Sequence, residues 1–390
     1  MSAIDFVIIA ILVVAVIVGI QRGLLASVGT LIGLALGGVA AYWVVPLVNA
    51  AIPGAAWRGP VVLAVGVGIL VLGAVVGSMI GMALRRGVDR TKLRVFERIL
   101  GGALTLVVAA LAVSLAGQSI AATGMPGVAA TVSSSRVLTA IADLTPRPIA
   151  ATLAELRGVA LAEGMPRLGE LLAPQMQPTS PEVALDDPAL TTAAQSVARV
   201  SGVAYACGIS ASGSGFVVAP DRVMTNAHVV AGVDRPVVEL PGRAAREGRV
   251  VYFDPVDDIA LIAVDDLDGA PLTVAPTLGV GSAAVVQGYP YGGPFTASTA
   301  QVLSVAPAQV PDIYDSSSSS RDVYALAAHV RPGNSGGPLL TTTGAVTGLV
   351  FARADNDDNV GYAMTMTELT PVLSQATDLD ATVASGTCTA

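Results

Sequence analysis

The chain has two histidines, His228 and His329, and both precede the run Gly333-Asn334-Ser335-Gly336-Gly337. A serine in a glycine-rich turn is a candidate nucleophile. It needs a base to take its proton, and imidazole is the usual one. No histidine follows Ser335. An order with the serine first and its acid and histidine later is therefore impossible, although Gly333 to Gly337 fits the G-x-S-x-G spacing. An order with the aspartate first needs a well-placed carboxylate ahead of the histidine, and Asp221 is only seven residues before His228. The order that survives is histidine, aspartate, serine.

His228 lies in Thr225-Asn226-Ala227-His228-Val229-Val230, after the apolar run Phe216–Ala219 and Val223. That context holds an imidazole at the end of a strand. Asp258 directly precedes Ile259-Ala260-Leu261, so an inward strand can carry its carboxylate toward the histidine. A buried carboxylate accepting an imidazole N–H fixes the tautomer and stabilises the imidazolium. Asp257 is read as the solvated neighbour. The backbone N–H groups of Gly333 and Ser335 are the candidate oxyanion donors, and a side chain at 333 would restrict their loop. Each element alone has a bland reading: a turn serine, a structural histidine, a solvated Asp-Asp edge. Their order, spacing and setting together point to nucleophilic acyl transfer. Two cysteines and two histidines so scattered do not make a zinc site, and neither a metal nor another cofactor is expected.

The elements that must position these groups are short strands. Gly215–Ala219, Val237–Leu240, Val250–Phe253, Ile259–Val264 and Ala283–Gln287 are compact apolar runs. Thr299–Val310, Val323–Ala328, Gly344–Arg353 and Val360–Met364 follow, with Gly, Pro and Asp between most of them. This pattern predicts an all-β domain over 190–390, with about a dozen strands in two six-stranded barrels. The Ser316–Ser320 run reads as a flexible loop. Residues 121–189 read as a linker with short helices cut by Pro146, Pro148 and Pro166.

The first 120 residues differ in kind. Hydrophobic content is 53% and charged content 13% over the whole chain, too apolar for one soluble globule, and the excess is local. Uncharged stretches long enough for the ~20 apolar residues of a membrane span predict four helices near 4–20, 24–48, 60–84 and 99–119, the second broken late by Pro46. A cleaved leader is disfavoured, because the start is not basic and three more spans follow. Arg85, Arg86, Arg90, Lys92, Arg94 and Arg98 crowd the third connection. Cationic loops stay in the cytoplasm, so both termini are expected outside, with the 190–390 domain. That domain holds 9 Arg and no Lys against 19 Asp and Glu, a charge of 9 − 19 = −10, the opposite of a nucleic-acid binder. Cys207 and Cys388 bracket it. A disulfide between them would contribute about 5 kcal/mol at most; the alternative is two separate buried thiols.

These residues also carry a resemblance. Asn226-Ala227-His228-Val229-Val230, Asp258-Ile259-Ala260-Leu261 and Gly333-Asn334-Ser335-Gly336-Gly337-Pro338-Leu339 resemble the three signatures of trypsin-like serine proteases of the bacterial HtrA/DegP kind. The likeness covers about 195–380. It implies a chymotrypsin-like double barrel, with His228 as general base, Asp258 as orienting acid, Ser335 as nucleophile and an acyl-enzyme path for peptide bonds. The four spans resemble the colicin V production (CvpA) family. The combination is similar to the MarP type, membrane-anchored actinobacterial periplasmic proteases linked to acid resistance. His329 stands where related proteases place the base of the substrate pocket, and Phe351 is assigned to that pocket with it. In place of the aspartate that digestive proteases carry before the serine stands Asn334, so activation by an ion pair with a new N-terminus is not implied. The chain after Ser335 is too short for a PDZ domain, and regulation by one is not expected.

Two other readings compete. A transporter needs ionisable groups inside its spans, and the uncharged stretches offer none. Gly33-x-x-x-Gly37 and Gly73-x-x-x-Gly77-x-x-x-Gly81 suggest close helix packing instead. A non-catalytic protease fold used for binding normally lacks a triad member, and none is missing. The expected partners are exported protein or peptide substrates, cell-wall enzymes among them, and the lipid bilayer. Nothing in the sequence sets the oligomeric state.

Overall fold

The structure is a computed structural model that describes residues 3–51, 55–88, 93–122, 132, 135–161, 165–169, 171–172, 183–204 and 209–389. It divides into one unit running to Val113 and a second from Ser114. Four helices open the chain: α1 (Ala3–Arg22), α2 (Leu24–Ala51), α3 (Ala55–Val88) and α4 (Arg94–Ala122). Each contains a stretch long and apolar enough to cross a membrane: Ile4–Arg22, Leu24–Val44, Ala64–Arg85 and Arg94–Gly117. α2 does not break at Pro46 but runs on to Ala51, as membrane helices can when neighbours re-satisfy the freed backbone groups.

The small-residue spacing is used as expected. α2 and α3 meet backbone to backbone, so a Cβ on Gly33 would stand 2.0 Å from the Gly73 carbonyl oxygen. Glu97, counted in the sequence as part of the basic connection, is buried. Its Oε1 accepts from the Leu25 N–H at 3.2 Å and its Oε2 lies 3.4 Å from Arg85 Nε.

The second unit begins with helices, α5 (Arg136–Leu144) and α6 (Arg147–Leu161), then a two-residue strand, β1 (Arg167–Leu168). Helix α7 (Pro188–Ala194) is capped by the Asp187 carboxylate, which accepts from Ala189 N–H. The first sheet comprises β2 (Val197–Ala204), β3 (Ile209–Ala219), β4 (Arg222–Thr225), β5 (Val237–Glu239), β6 (Arg246–Glu247), β7 (Arg249–Asp254) and β8 (Ile259–Ala263), with a one-turn helix, α8 (Ala227–Val230), after β4. Its order is β6-β5-β2-β3-β4-β8-β7. The end strands β6 and β7 are joined by Gly248 alone, so the sheet curls onto itself.

The second sheet comprises β9 (Ala283–Gly288), β10 (Thr296–Pro311), β11 (Ser318–Ala327), β12 (Pro338–Thr341), β13 (Val346–Ala354) and β14 (Val360–Thr365), followed by helix α9 (Met366–Leu373). Pairing of β13 with β14 closes these six into a ring, and β1 adds to β13 in parallel at Arg353 and Ala354. The expected six strands hold for this barrel. The seventh is the linker segment Arg167–Leu168, too short to show a strand period.

Side-chain alternation along the strands builds three apolar clusters. On β8, Ala260 and Ile262 face the interior of the first barrel, while Ile259 and Leu261 join Phe216, Leu303, Val323 and Tyr362 in a larger cluster shared by both barrels. On β11, Tyr324 and Leu326 fill the second barrel, and Val323 and Ala325 face that shared seam. The seam is where residues from the two halves meet.

The serine run is not a loop throughout. Ser318, Ser319 and Ser320 pair with Pro311, Val310 and Gln309 in β11 and β10. The turn before them is folded around Asp312, which accepts from Tyr314 N, Ser316 N, Ser316 Oγ and Ser317 Oγ. β2 and β12 went unread in the sequence, because Val197–Ala204 is interrupted by Ser and Gly and Pro338–Thr341 is only four residues long.

Candidate active site

His228 sits on α8, at the end of β4, and Asp258 stands at the start of β8, which pairs with β4. Asp258 is in the left-handed region, φ 55°, tolerated by aspartate better than by most side chains. Its Oδ1 accepts from the His228 backbone N–H at 2.9 Å and lies 3.0 Å from His228 Nδ1; its Oδ2 lies 2.8 Å from Nδ1. Asn226 Nδ2 donates to the Asp258 carbonyl oxygen at 2.8 Å. The acid is thus fixed from both main chain and side chain, and it orients the ring so that Nε2 is left for other work. The expected choice of Asp258 over Asp257 agrees with this geometry. Asp257 is not the solvated residue expected: it is half-buried, and burial followed by the neighbouring Asp254 charge pushes its carboxyl pKa up.

Ser335 is buried in the turn before β12. Its loop is held at four points. Pro332 O accepts from Tyr291 N at 2.6 Å, and Asn334 O accepts from Gly337 N at 2.9 Å. Gly333 O accepts from Ser214 Oγ at 2.7 Å, and Ser335 O accepts from Ser214 N at 2.7 Å. A trans peptide points its N–H opposite its C=O. Clamping Pro332 O and Asn334 O therefore directs the N–H groups of Gly333 and Ser335 away from the clamps, and neither donates to a protein acceptor among the described residues. Two free, fixed N–H donors beside a serine are what an oxyanion requires. Gly333 has φ 90°, and a Cβ there would fall 2.4 Å from Tyr289 O.

His228 Nε2 and Ser335 Oγ are both shut off from solvent and neither has a hydrogen-bond partner among the described residues. The Asp258–His228 contact is made, and among the described residues no hydrogen bond joins His228 to Ser335. Such bonds often tighten only when substrate is bound.

Ser214, on β3, was missed in the sequence. It is fully buried, donates to Gly333 O, and its Oγ accepts from Tyr289 N at 2.9 Å. Thr225 Oγ1 donates to its carbonyl at 2.7 Å. One small residue of the first barrel thereby bolts down the serine loop of the second. The available signal was the Ser212-Gly213-Ser214-Gly215 run, too polar to register as strand. Asn334 does not wait for a new N-terminus: its Oδ1 accepts from Arg331 N at 3.0 Å within the loop.

The two pocket candidates stand in different settings. Phe351 is buried in the shared cluster with the Arg321 guanidinium 5.9 Å from its ring centroid, and His329 is exposed between buried Ala328 and Val330. Asp355, Asp357 and Asp358 lie in an exposed turn, with Asp358 3.0 Å from Arg353 Nη1. Cys207 lies outside the described residues. Cys388 lies against the end of the His228 helix, where a Cβ on Gly232 would stand 3.0 Å from its Sγ.

Comparison with known proteins gives the family. Residues 213–349 match the family described as a trypsin-like peptidase domain, and residues 4–146 match the colicin V production protein family. Serine protease Rv3671c of Mycobacterium tuberculosis is 35% identical over 316 residues, which is 79% of this chain and 79% of that protein. The chain belongs to the Rv3671c family of serine proteases. It is thus a trypsin-like serine endopeptidase with four helices able to span a membrane. The crystal structure of the Rv3671c protease in its active form superposes with a TM-score of 0.52 at 37% identity, covering 56% of this chain and 100% of that one. A probable periplasmic serine endoprotease, DegP-like, of Pseudomonas fulva is 32% identical over 169 residues, 42% of this chain and 34% of that protein.

Proposed function

We propose that this serine protease is anchored in the cytoplasmic membrane by α1–α4 and cleaves exported proteins, cell-wall enzymes among them, with a triad of His228, Asp258 and Ser335. The observation that carries the reading is the pairing of both Asp258 oxygens with His228 Nδ1, together with a serine turn whose Gly333 and Ser335 N–H groups are fixed and donate to no acceptor among the described residues.

Ser335 Oγ attacks the scissile carbonyl carbon as His228 Nε2 takes its proton. The carbonyl oxygen becomes an oxyanion held by the N–H groups of Gly333 and Ser335. Nε2 then returns the proton to the leaving amine nitrogen, the C–N bond breaks, and the acyl group stays on Oγ as an ester. Water, deprotonated by Nε2, opens that ester and frees the acid. Asp258 carries no proton in either half; it steadies the imidazolium.

The excess of cations in the connection between α3 and α4 supports a protease domain on the outer side, where a Cys207–Cys388 disulfide would persist and would brace the His228 side of the cleft. The likeness of the whole layout to MarP-type enzymes supports a place in acid and oxidative stress resistance. A membrane-impermeant fluorophosphonate applied to intact cells tests nucleophile and location together. Label on Ser335, lost in Ser335→Ala, is expected. Label that appears only after cell lysis overturns the location, and label on another residue overturns the triad.

A further inference from the structure

β13 leads away from the serine turn. Gly336 N donates to Val350 O and Val350 N donates to Gly337 O, both at 2.9 Å. Past Val350, one edge of β13 is covered by β14, with Ala352 opposite Tyr362 and Arg353 opposite Gly361. On the other edge, the pairing with β12 ends at Leu349. What lies there next is the linker rather than a barrel strand. Arg353 N donates to Pro166 O at 3.2 Å and Asp355 N donates to Leu168 O at 2.9 Å. Arg353 stands roughly 10 Å beyond Val350 at the rise of a strand. An extended peptide with one carbonyl at Ser335 reaches this edge within about three residues. Open strand edges capture extended peptides through main-chain hydrogen bonds.

The hold of the linker on this edge is shallow. In β1, Arg167 is exposed and Leu168 is half-buried. Beyond it, the Tyr362 hydroxyl accepts from Leu171 N at 3.3 Å and donates to Gly169 O at 3.2 Å. Leu168, Leu171 and Leu172 pack against the cluster shared by the barrels. Met165 is the deepest anchor, buried in the second barrel's cluster with Val330 of the segment leading into the serine turn. The six strands β9–β14 close that barrel without β1, so the linker strand is an addition to it. Nor does the linker bond to the reacting groups. His228 Nε2, Ser335 Oγ and the Gly333 N–H have no partner among the described residues.

We propose that residues 165–172 are an autoinhibitory cover: they occupy the edge of β13 on which the main chain of a protein substrate docks, and they leave it for substrate to be cleaved. The proposal rests on Ser335 as the nucleophile. Cover and substrate exclude each other, because Arg353 N and Asp355 N each have one proton to donate. The cover is part of the same chain and competes at a high effective concentration. A protein substrate has to displace it, whereas a small reagent that meets Ser335 alone does not. Loosening the cover therefore speeds proteolysis and leaves the reactivity of the serine as it was.

The test uses full-length protein in detergent, with Leu168→Asp and Tyr362→Phe compared with wild type. Leu168→Asp sets a charge against the apolar cluster. Tyr362→Phe removes the hydroxyl that holds Gly169 and Leu171 and keeps the ring. Turnover of fluorescein-labelled casein is measured per active site titrated with a fluorophosphonate. Tyr362→Phe is expected to raise kcat/KM about five-fold, the effect of one neutral hydrogen bond. Leu168→Asp is expected to raise it about ten-fold, since a carboxylate does not stay against an apolar surface. Fluorophosphonate labelling rates stay within about two-fold of wild type in both. A synthetic peptide of residues 164–172, added to Tyr362→Phe, is expected to compete with casein, and the same peptide carrying Leu168→Asp is not. Casein turnover per site that is unchanged or lower in Tyr362→Phe overturns the proposal, even where Leu168→Asp does not fold. So does a wild-type peptide that fails to compete. Labelling of wild type at a residue other than Ser335 would sink the triad instead, and it is read separately from turnover.

Discussion

Replacing Gly333 by alanine isolates one half of the site. The residue has φ 90°, where an L side chain costs about 1–2 kcal/mol in backbone energy. The new methyl would stand 2.4 Å from Tyr289 O, 2.6 Å from Tyr291 N and 3.0 Å from Gly292 N. All three are main-chain atoms, so no side-chain rotation relieves the clash. The loop must move off the Pro290–Gly292 turn, and the 2.6 Å bond from Tyr291 N to Pro332 O breaks with it. That bond fixes the peptide whose other face is the Gly333 N–H donor. Losing one oxyanion donor costs on the order of 10²–10³ in kcat, or about 2.7–4 kcal/mol. The expected result for Gly333→Ala is a fall of that size in kcat on a casein substrate, with Asp258 and His228 untouched. Gly344→Ala is the control: its φ is 82° and its Cβ meets the Ala189 carbonyl at 2.9 Å, in the turn between β12 and β13. It loses stability but not turnover per active site. Gly333→Ala with kcat within about three-fold of wild type, in protein that melts cooperatively, would show that these N–H groups do not hold the oxyanion.

Two further outcomes follow from the segments that brace the barrels. The four hydrogen bonds received by Asp312 hold its carboxyl well below the usual carboxylate range, so its contribution to stability is present above the unfolded value of about 3.9 and lost as pH falls through the folded one. Asp312→Asn should lower the melting temperature at pH 7 and match wild type progressively below pH 4, as followed by circular dichroism; a gap that widens in acid would contradict the assignment. Cys207→Ser should reduce casein turnover in oxidised protein to the level of reduced wild type, and unchanged turnover would remove the disulfide from the account.

The chemistry was legible because it rests on rare residues in a fixed order. Two histidines, a serine inside Gly333–Gly337 that both of them precede and an aspartate opening an apolar strand leave few arrangements, and His228 Nδ1 lies 2.8 Å from Asp258 Oδ2. The barrel strands rich in Val, Ile and Leu were visible for the same reason, since Ile259–Ala263 is buried at every position. What escaped were residues whose role depends on a partner far away in sequence. Ser214 looks like linker until Gly333, 119 residues on, is placed beside it. Ser318–Ser320 reads as a loop until it is laid against Val310. Phe351 reads as a pocket wall by its position in the chain, but the direction of its strand turns it into the shared core.

The two halves of the site belong to different barrels and are tied together by Ser214. The Asp258–His228 half belongs to the first barrel, and the C-terminal strand-like tail straps its outside. Gly232 N donates to Ser385 O, Val383 N donates to Val250 O, and Arg222 and Arg249 both reach Asp380. Exposed ion pairs of that kind contribute little each, so the backbone bonds carry most of the strap. The Ser335 half belongs to the second barrel and is clamped by the Pro290–Gly292 turn. That turn is in turn packed by linker helix α6, where a Cβ on Gly293 would stand 2.3 Å from Ala154 Cβ. β1 of the same linker lies along β13, accepting from Arg353 N at Pro166 O and from Asp355 N at Leu168 O. β13 is also the strand that holds the serine turn, through Gly336 N to Val350 O. Each half has its own braces, Ser214 joins them, and neither His228 Nε2 nor Ser335 Oγ has a hydrogen-bond partner among the described residues.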